Sequence, residues 1–540
     1  MRHLLATAIT LALAATPAAA AAQEGQTQAA PAPAASLQTT QLPRSVRPTH
    51  YSVAVTPHAD TLSFDGRVRI DIEVLEPTAV IVLNALDMQF RNVSLVPAAG
   101  GQPTAAASTN VDGEAQTASF GFNKLLAPGK YSLSMDYTGK IGTQANGLFA
   151  IDYTNEQGKQ RALYTQFENS DARRFIPSWD EPFYKATFDL EATVPAAQMA
   201  VSNMPVAQRS ELGNGLVKVS FGTSPKMSSY LLFFAVGDFE RATAMVDGTE
   251  VGVVTQRGSL SQAALALKAS QDVLHEYNDY FGTPFPLPKL DNVASPGSSQ
   301  FFSAMENWGA IFTFEAAMLV NPTISSQGDA HRVIEIAAHE IAHQWFGDLV
   351  TMSWWDDLWL NEGFASWMEA RTTARLHPEW KTELGEVGSR DRAMRRDAIA
   401  STHPVVQHVE TVEQANQAFD TITYQKGQAV ITMLEAYVGH EAWRAGVRTY
   451  MKKHAYGNTV TDDLFSEVEA AAGKPIMEIA HQFTLQPGVP LLRVESATCA
   501  NGKTTLTLSQ GEFTVDRPDK LPLHWNVPVI AAIAKVGAVP

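Results

Sequence analysis

The chain has 540 residues, enough for several folded cores and for about three domains of ordinary size. Its formal net charge is −16, from 40 basic and 56 acidic residues, which argues against nucleic acid or an anionic membrane as the partner and fits a soluble protein that attracts cationic groups. With one cysteine, Cys499, the chain cannot form an internal disulfide framework.

The first residues have the pattern of a secretory signal. Arg2 and His3 precede a short apolar run over residues 4–14, and a stretch of alanines follows it. We therefore predict a bacterial-type signal peptide over residues 1–22 and a periplasmic or secreted protein. The run is shorter than the ~20 residues that a membrane-spanning helix needs, and no other segment of the sequence is long and apolar enough to cross a membrane, so we expect no stable membrane insertion. Residues 23–42 are rich in Ala, Pro, Gln and Thr and predict a disordered linker.

The next two regions differ in their hydrophobic period. Residues 43–240 contain short alternating runs separated by turn signals, such as 67–74, which predict an N-terminal all-β domain. Residues 241–487 have mostly helical periodicity and contain the metal-binding motif, which predicts a catalytic domain that is mostly helical. The fold class is therefore a multidomain α+β protein.

The strongest motif is His339-Glu340-x-x-His343. Residues 332–346 contain no Gly or Pro, which predicts a helix, and histidines four apart then lie on one face of it. Two such imidazoles can bind one metal ion. Glu340 lies about 100° around the helix, near the ion without being forced to bind it. A zinc hydrolase needs such a pair of ligands and a nearby carboxylate base.

A catalytic zinc ion also needs a third protein ligand. The zinc-protease pattern with a further Gly and His after the motif is excluded, because Phe346 and Leu349 occupy those positions. Glu362 follows His343 after eighteen residues, enough for the chain to turn and begin a second helix. The alternative is a first-turn carboxylate favoured only by the helix dipole. Beside the histidine pair, we predict that Glu362 is the third ligand.

Strand patterns return after Pro490, at residues 504–508 and 521–527. Residues 488–540 are too few for an ordinary β-sandwich of ~100 residues, so they predict an incomplete β-sandwich domain. The chain ends after a mostly apolar run, residues 527–539, which favours the interpretation that it is truncated.

The motifs together resemble the aminopeptidase N family of zinc metallopeptidases, the gluzincin aminopeptidases. The resemblance begins near residue 45 and extends to the end of the chain. It includes segments similar to the family's exopeptidase motif, N-terminal-domain signature and active-site tyrosine segment, at residues 304–309, 165–182 and 422–427. It implies a thermolysin-like catalytic domain. It also implies a C-terminal truncation, because the family continues into a large helical domain that walls the active site.

The resemblance implies a zinc aminopeptidase with one zinc ion per chain, acting on peptides with a free N-terminus. Zinc lowers the pKa of bound water to about 7, so Glu340 can accept its proton. Tyr424 would stabilise the oxyanion together with zinc. The alternative for Tyr424 is a packed aromatic side chain.

By the same resemblance, Glu306 and Glu168 would hold the free α-amino group. The alternative for Glu168 is a surface ion pair with Arg173 or Arg174. The remaining residues of the substrate-binding motif are Ser303, Ala304, Met305 and Asn307. Ser303 stands where the family usually has Gly, so we expect retained activity with an altered side-chain preference.

Two other functions stay open. A thermolysin-like endopeptidase would use the same chemistry without an amino-group clamp. A peptide-binding remnant, disabled by truncation, would bind without turnover. Epoxide hydrolysis occurs in one bifunctional relative, but none of these motifs requires it. The sequence predicts neither the preferred first residue, the physiological substrate nor the oligomeric state.

Overall fold

The computed structural model describes residues 39–300 and 302–530. The predicted signal peptide, most of the predicted linker and the last ten residues lie outside these ranges. Among the described residues, no helix combines the length and the apolarity needed to cross a membrane.

The N-terminal part is built of strands, as the alternating pattern predicted. In β2, for example, every second side chain from Phe64 to Val74 is buried, because successive side chains of a strand face opposite sides. The strands are β1 Val46–His58, β2 Ser63–Val74, β3 Thr78–Asn84, β4 Gln89–Pro97, β5 Thr104–Ala105, β6 Ser108–Asp112, β7 Thr117–Leu126, β8 Gly129–Lys140, β9 Gly147–Asn155, β10 Gly158–Gln166, β11 Thr187–Pro195, β12 Met199–Ser202, β13 Val206–Gly213, β14 Leu216–Phe221 and β15 Phe234–Gly237.

These strands form three sheets. The largest has the order β13-β14-β11-β1-β2-β8-β4-β5, and a smaller one has the order β3-β7-β6. The third sheet, β12-β15-β10-β9, matters most for the site. Its strand β10 ends in five buried residues, and the chain then reaches Glu168 two residues later. A rigid, buried strand therefore sets the position of that glutamate.

A five-stranded sheet begins the catalytic part, and the predicted boundary at residue 240 falls inside its first strand. Its strands are β16 Phe239–Val246, β17 Thr249–Gln256, β18 Lys289–Ser295, β19 Ala304–Met305 and β20 Ala310–Phe314. The order is β16-β17-β18-β20-β19. Among the described residues, β19 pairs with β20 alone and is the edge strand of this sheet.

Helices make up most of the remaining catalytic part. They are α1 Ala264–Phe281, α2 Gln327–His343, α3 Trp359–Leu376, α4 Thr382–Asp397, α5 Val412–Gln417, α6 Gly427–Val438, α7 His440–His454, α8 Thr461–Ala472 and α9 Met477–Thr484. Two short strands, β21 Thr351–Met352 and β22 Asn458–Thr459, pair in parallel. α2 begins at a capping box, in which Ser326 and Asp329 satisfy each other's backbone N–H groups. The fold class predicted from the sequence is confirmed.

A close approach of two glycines brings α3 beside α6. A Cβ atom on Gly363 would lie 3.3 Å from the Cα and carbonyl carbon of Gly427. Just before α6, residues Ile422–Lys426 form one turn of π-helix. Because neither glycine has a side chain, the π-helix can lie directly against the start of α3.

The C-terminal part consists of the hairpin β23 Val489–Ala500 and β24 Lys503–Phe513. The strand predicted at residues 504–508 lies within β24. The strand predicted at residues 521–527 is wrong, because this segment has no strand partner among the described residues. Pro522 removes one backbone donor, and the N–H groups of Leu523 and Trp525 instead donate to the side chains of Glu512 and Gln510.

Candidate active site

Two helices bring the predicted metal ligands together. His339 and His343 lie one turn apart on α2, with ring centroids 4.8 Å apart. Glu362 lies in the first turn of α3. Its Oε2 atom is 3.5 Å from Nε2 of each histidine. All three residues thus offer one donor atom to a common point.

This donor set fits a zinc ion. Four ligands at about 2.0–2.1 Å in tetrahedral geometry lie about 3.3–3.4 Å from one another, close to the observed 3.5 Å. The other ring nitrogens are engaged: Nδ1 of His339 lies 3.0 Å from Oε2 of Glu369, and Nδ1 of His343 lies 3.0 Å from the carbonyl oxygen of Phe346. These bonds direct Nε2 of both rings toward the common point, as metal-binding histidines require.

The electrostatics of the cluster favour a cation. Burial alone would raise the pKa of Glu362, but the two histidines outweigh it and lower that pKa to about 2. Glu340 is buried on α2, and its Oε2 atom has no hydrogen-bond partner among the described residues. Burial raises the pKa of Glu340 to about 8, although both histidines oppose the shift. A group whose pKa lies close to the working pH can both accept and release a proton.

Glu306 and Glu168 approach the same cluster from two different sheets. Glu306 follows the edge strand β19, and Glu168 follows β10. Carboxylate oxygens of Glu168, Glu306 and Glu362 all lie within 4.8 Å of one another. One oxygen of Glu168 and one of Glu306 are buried without a hydrogen-bond partner in the described chain. Burial is the main cause that raises the pKa of both glutamates. Such a pair would be stabilised by a bound cation.

The alternative role for Glu168, a surface ion pair, does not occur. Arg173 contacts the buried carboxylate of Asp180 at 2.9 Å, and Arg174 contacts Asp171 at 2.6 Å. Both arginines pair with aspartates, whereas a carboxylate oxygen of Glu168 lies in the cluster with Glu306 and Glu362.

Tyr424 lies beside the metal ligands, on the π-helix. Its ring is nearly parallel to that of His339, with centroids 6.3 Å apart. Burial, together with the nearby carboxylates of Glu362 and Glu168, raises the pKa of Tyr424 well above 10. The phenol therefore keeps its proton and can donate a hydrogen bond.

The remaining residues of the motif, Ser303, Ala304, Met305 and Asn307, lie along and around β19. Nη2 of Arg332 donates a hydrogen bond of 2.8 Å to Oγ of Ser303. Gln344 secures the motif to α2, because its side chain donates to the carbonyl oxygen of Glu306 and accepts from the N–H of Gly309, both at 2.9 Å.

Sequence reasoning missed Gln344 and Glu369. Gln344 directly follows His343, so its closeness to the metal motif was visible in the sequence. Glu369 lies seven residues after Glu362, which places both on one face of α3. That spacing was the available signal for a carboxylate that orients a metal ligand.

A strand-rich N-terminal part is thus followed by helices that bring two histidines and a glutamate around one point. Family models agree: that of the peptidase M1 N-terminal domain matches residues 47–231, and that of the peptidase family M1 domain matches residues 265–483. The chain belongs to peptidase family M1, and the predicted resemblance is confirmed.

Several curated relatives are aminopeptidases by name. The chain is 36% identical over 509 residues to the puromycin-sensitive aminopeptidase of Caenorhabditis elegans, covering 93% of this chain and 53% of the relative. It is 36% identical over 492 residues to aminopeptidase M1 of Arabidopsis thaliana, covering 91% and 55%. It is 34% identical over 472 residues to human endoplasmic reticulum aminopeptidase 1, covering 87% and 50%. The chain thus spans about half the length of these relatives.

Proposed function

We propose that this protein is a zinc-dependent aminopeptidase that hydrolyses the first residue from peptides. One observation carries the proposal. Two three-residue clusters share Glu362: a metal-type set with His339 and His343, and a carboxylate set with Glu168 and Glu306. The first set suits a metal ion and the second suits an ammonium group. The names of the relatives, all aminopeptidases, support the same reaction.

His339, His343 and Glu362 would hold the zinc ion. Zinc, when bound, supplies a Lewis acid and a water molecule of lowered pKa. Glu340 accepts the proton of the attacking water and later passes it to the leaving amine. The hydroxyl of Tyr424 donates a hydrogen bond to the developing oxyanion. Donors of this kind contribute on the order of 10²–10³ in kcat.

The clamp of Glu306 and Glu168 would recognise the free N-terminus. The reference pKa of an α-amino group is near 8, so a large share of peptides carry an ammonium at neutral pH. Glu306 is buried and Glu168 is half-buried, and each has one buried oxygen without a hydrogen-bond partner among the described residues. Beside the metal ligands, these carboxylates would bind that ammonium and fix the distance to the first peptide bond. The rest of the peptide would lie along the open edge of β19.

We also propose that the protein is exported, to the periplasm or the medium. It is supported by the basic, apolar and small-residue order of residues 1–22, which is typical of a secretory signal.

The deciding experiment combines metal analysis with turnover of alanyl- and leucyl-anilides. We expect about one zinc per chain, activity that is lost on chelation and restored by zinc, and loss of turnover in Glu340→Gln with zinc retained. Zinc bound without turnover in the wild-type protein would support the peptide-binding remnant instead.

The cleavage rate of an N-acetylated peptide distinguishes exopeptidase from endopeptidase activity. N-acetylated peptides should be cleaved far more slowly than free ones, and Glu306→Gln should remove most of that difference. Equal rates on free and acetylated peptides in the wild-type protein would favour a thermolysin-like endopeptidase.

A further inference from the structure

The π-helix that carries Tyr424 is held at its N-terminal end by Asp420. Its Oδ1 atom accepts hydrogen bonds from the backbone N–H groups of Ile422 at 2.9 Å and Thr423 at 3.2 Å. The carbonyl oxygen of Asp420 accepts from the N–H of Tyr424 at 3.1 Å. Three consecutive N–H groups therefore depend on one aspartate. Single turns of π-helix are rare and are often found at functional sites.

His403 holds the other oxygen of that aspartate. Its Nε2 atom lies 2.8 Å from Oδ2 of Asp420, and its Nδ1 atom lies 2.7 Å from the carbonyl oxygen of Pro404. An ionised carboxylate and a carbonyl oxygen only accept hydrogen bonds, so both ring nitrogens must donate. His403 is therefore an imidazolium in this arrangement.

The surroundings of His403 agree with that charge. The hydrogen bond to Asp420 raises the pKa of His403 above its usual value, and burial opposes the shift. The carbonyl of Pro404 raises the pKa further, while Arg396 on α4 lowers it. The guanidinium of Arg396 also has a partner of its own, because its Nη1 donates a hydrogen bond of 2.9 Å to Oγ of Ser401.

The same stretch of chain also holds the C-terminal end of the π-helix. Nζ of Lys426 lies 2.8 Å from Oδ2 of Asp397, and both side chains are buried. Oδ1 of Asp397 accepts from Oγ1 of Thr402 at 2.6 Å and from the N–H of Gly488 at 2.8 Å. Residues 397–403 thus hold the five-residue turn at its C-terminal end, through Lys426, and hold Asp420 just before its N-terminal end.

We propose that His403 and Asp420 are a positioning pair, which fixes the π-helix so that the hydroxyl of Tyr424 is held in the catalytic cleft. Neither residue touches a metal ligand or the amino-group clamp in the contacts described above. Their effect on the reaction passes through Tyr424. The inference rests on the proposed function, since it needs Tyr424 to act on the oxyanion.

The test is a double-mutant cycle with His403→Ala, Tyr424→Phe and both changes together, assayed on an alanyl-anilide. His403→Ala should lower kcat by about ten- to a hundredfold, because small displacements of a catalytic group cost that much, while KM changes less than about twofold. His403→Gln keeps one donor to Asp420 and should recover part of the loss. In the Tyr424→Phe background, removing His403 should have no further effect.

A matched control is His408→Gln. His408 follows in the same connection and also pairs with carboxylates, Asp356 and Glu410. It is 75% exposed, and none of its bonds within the described ranges reaches the π-helix. It should leave kcat unchanged. An equal loss in His408→Gln, or a full loss from His403→Ala in the Tyr424→Phe background, would overturn the positioning pair.

A binding measurement keeps the two proposals distinguishable. An amino-acid hydroxamate should bind the zinc-loaded His403→Ala protein more weakly, and the weakening should vanish in the Tyr424→Phe background. That cycle reports on the placement of Tyr424 even without turnover. Wild-type activity in Tyr424→Phe would refute the role of the tyrosine itself, and with it the positioning pair. A wild-type protein that binds zinc and the hydroxamate but hydrolyses nothing would refute only the aminopeptidase.

Discussion

Replacing Gly363 by Ala should disturb the metal site through backbone crowding. The new Cβ would lie 3.3 Å from three backbone atoms, two in Gly427 and the carbonyl oxygen of Thr423. Backbone cannot rotate away as a side chain can, so α3 or the π-helix must move. Glu362 is adjacent to Gly363 and Tyr424 is adjacent to Thr423, so either movement displaces a site residue.

The size of the effect follows from two opposing contributions. Overpacking of a well-packed contact costs about 1–3 kcal/mol. Alanine in place of glycine inside a helix gains about 0.5–1 kcal/mol. The control Gly385→Ala lies in α4, where a Cβ would meet no described heavy atom within 4 Å, so it isolates the gain. We therefore expect Gly363→Ala to be less stable than Gly385→Ala by about 1–3 kcal/mol.

The assay compares chemical unfolding of the two variants and of the wild type, followed by zinc competition with a fluorescent chelator. Gly363→Ala should also bind zinc more weakly, whereas Gly385→Ala should match the wild type. If the two variants were equally stable and bound zinc equally well, the close approach of α3 and α6 would not constrain the site.

Three further predictions concern other contacts. Glu369→Gln should weaken zinc binding by about 10–100-fold, because it removes the charge that orients His339; competition with a chelator measures it. Ser303→Gly should free Arg332 from its hydrogen bond and change the preference within a panel of aminoacyl-anilides, with zinc content unchanged. Burial lowers the pKa of Lys185 to about 7, against the attraction of Asp348. The unfolded chain therefore binds more protons between about pH 7 and 10.5, so stability should rise with pH across that window, and Lys185→Met should remove this rise.

Each of these predictions has a control variant or a result that would contradict it. Glu379→Gln removes a carboxylate that is 64% exposed and whose one ion pair in the described part of the chain is with His377, so it should not change zinc affinity. An unchanged anilide preference in Ser303→Gly would contradict the role of that residue. For Lys185, unfolding midpoints of wild type and variant that stay parallel from about pH 7 to 9.5 would contradict the shifted pKa.

The sequence predicted those parts of the site that depend on local spacing. His339 and His343 lie on one helix, so the period of the helix determines their geometry. Glu362 required one further step, that a second helix begins after the connecting segment, and α3 begins at Trp359. Such inferences need no knowledge of distant contacts.

Gln344 and Glu369 had local signals in the sequence, but the other missed features depend on tertiary contacts. Pairing of His403 with Asp420 joins segments on either side of α5, and no residue period links them. The π-helix depends on that pair, so its form was equally hidden. The predicted strand at residues 521–527 was wrong for a similar reason: its alternation resembles a strand, but its N–H groups find side chains of β24 instead of a neighbouring strand.

Glu168 has a consequence for how substrate selectivity depends on the packing of the protein. It follows a strand of the N-terminal β part, whereas all the other proposed site residues follow residue 300 in the chain. Both parts contribute to one hydrophobic core, which includes residues from Leu42 to Trp525. A change in that packing would move Glu168 relative to the two histidines and Glu362, which lie on α2 and α3. Selectivity for free N-termini would thus report on the packing between the β part and the helices, whereas metal content would not.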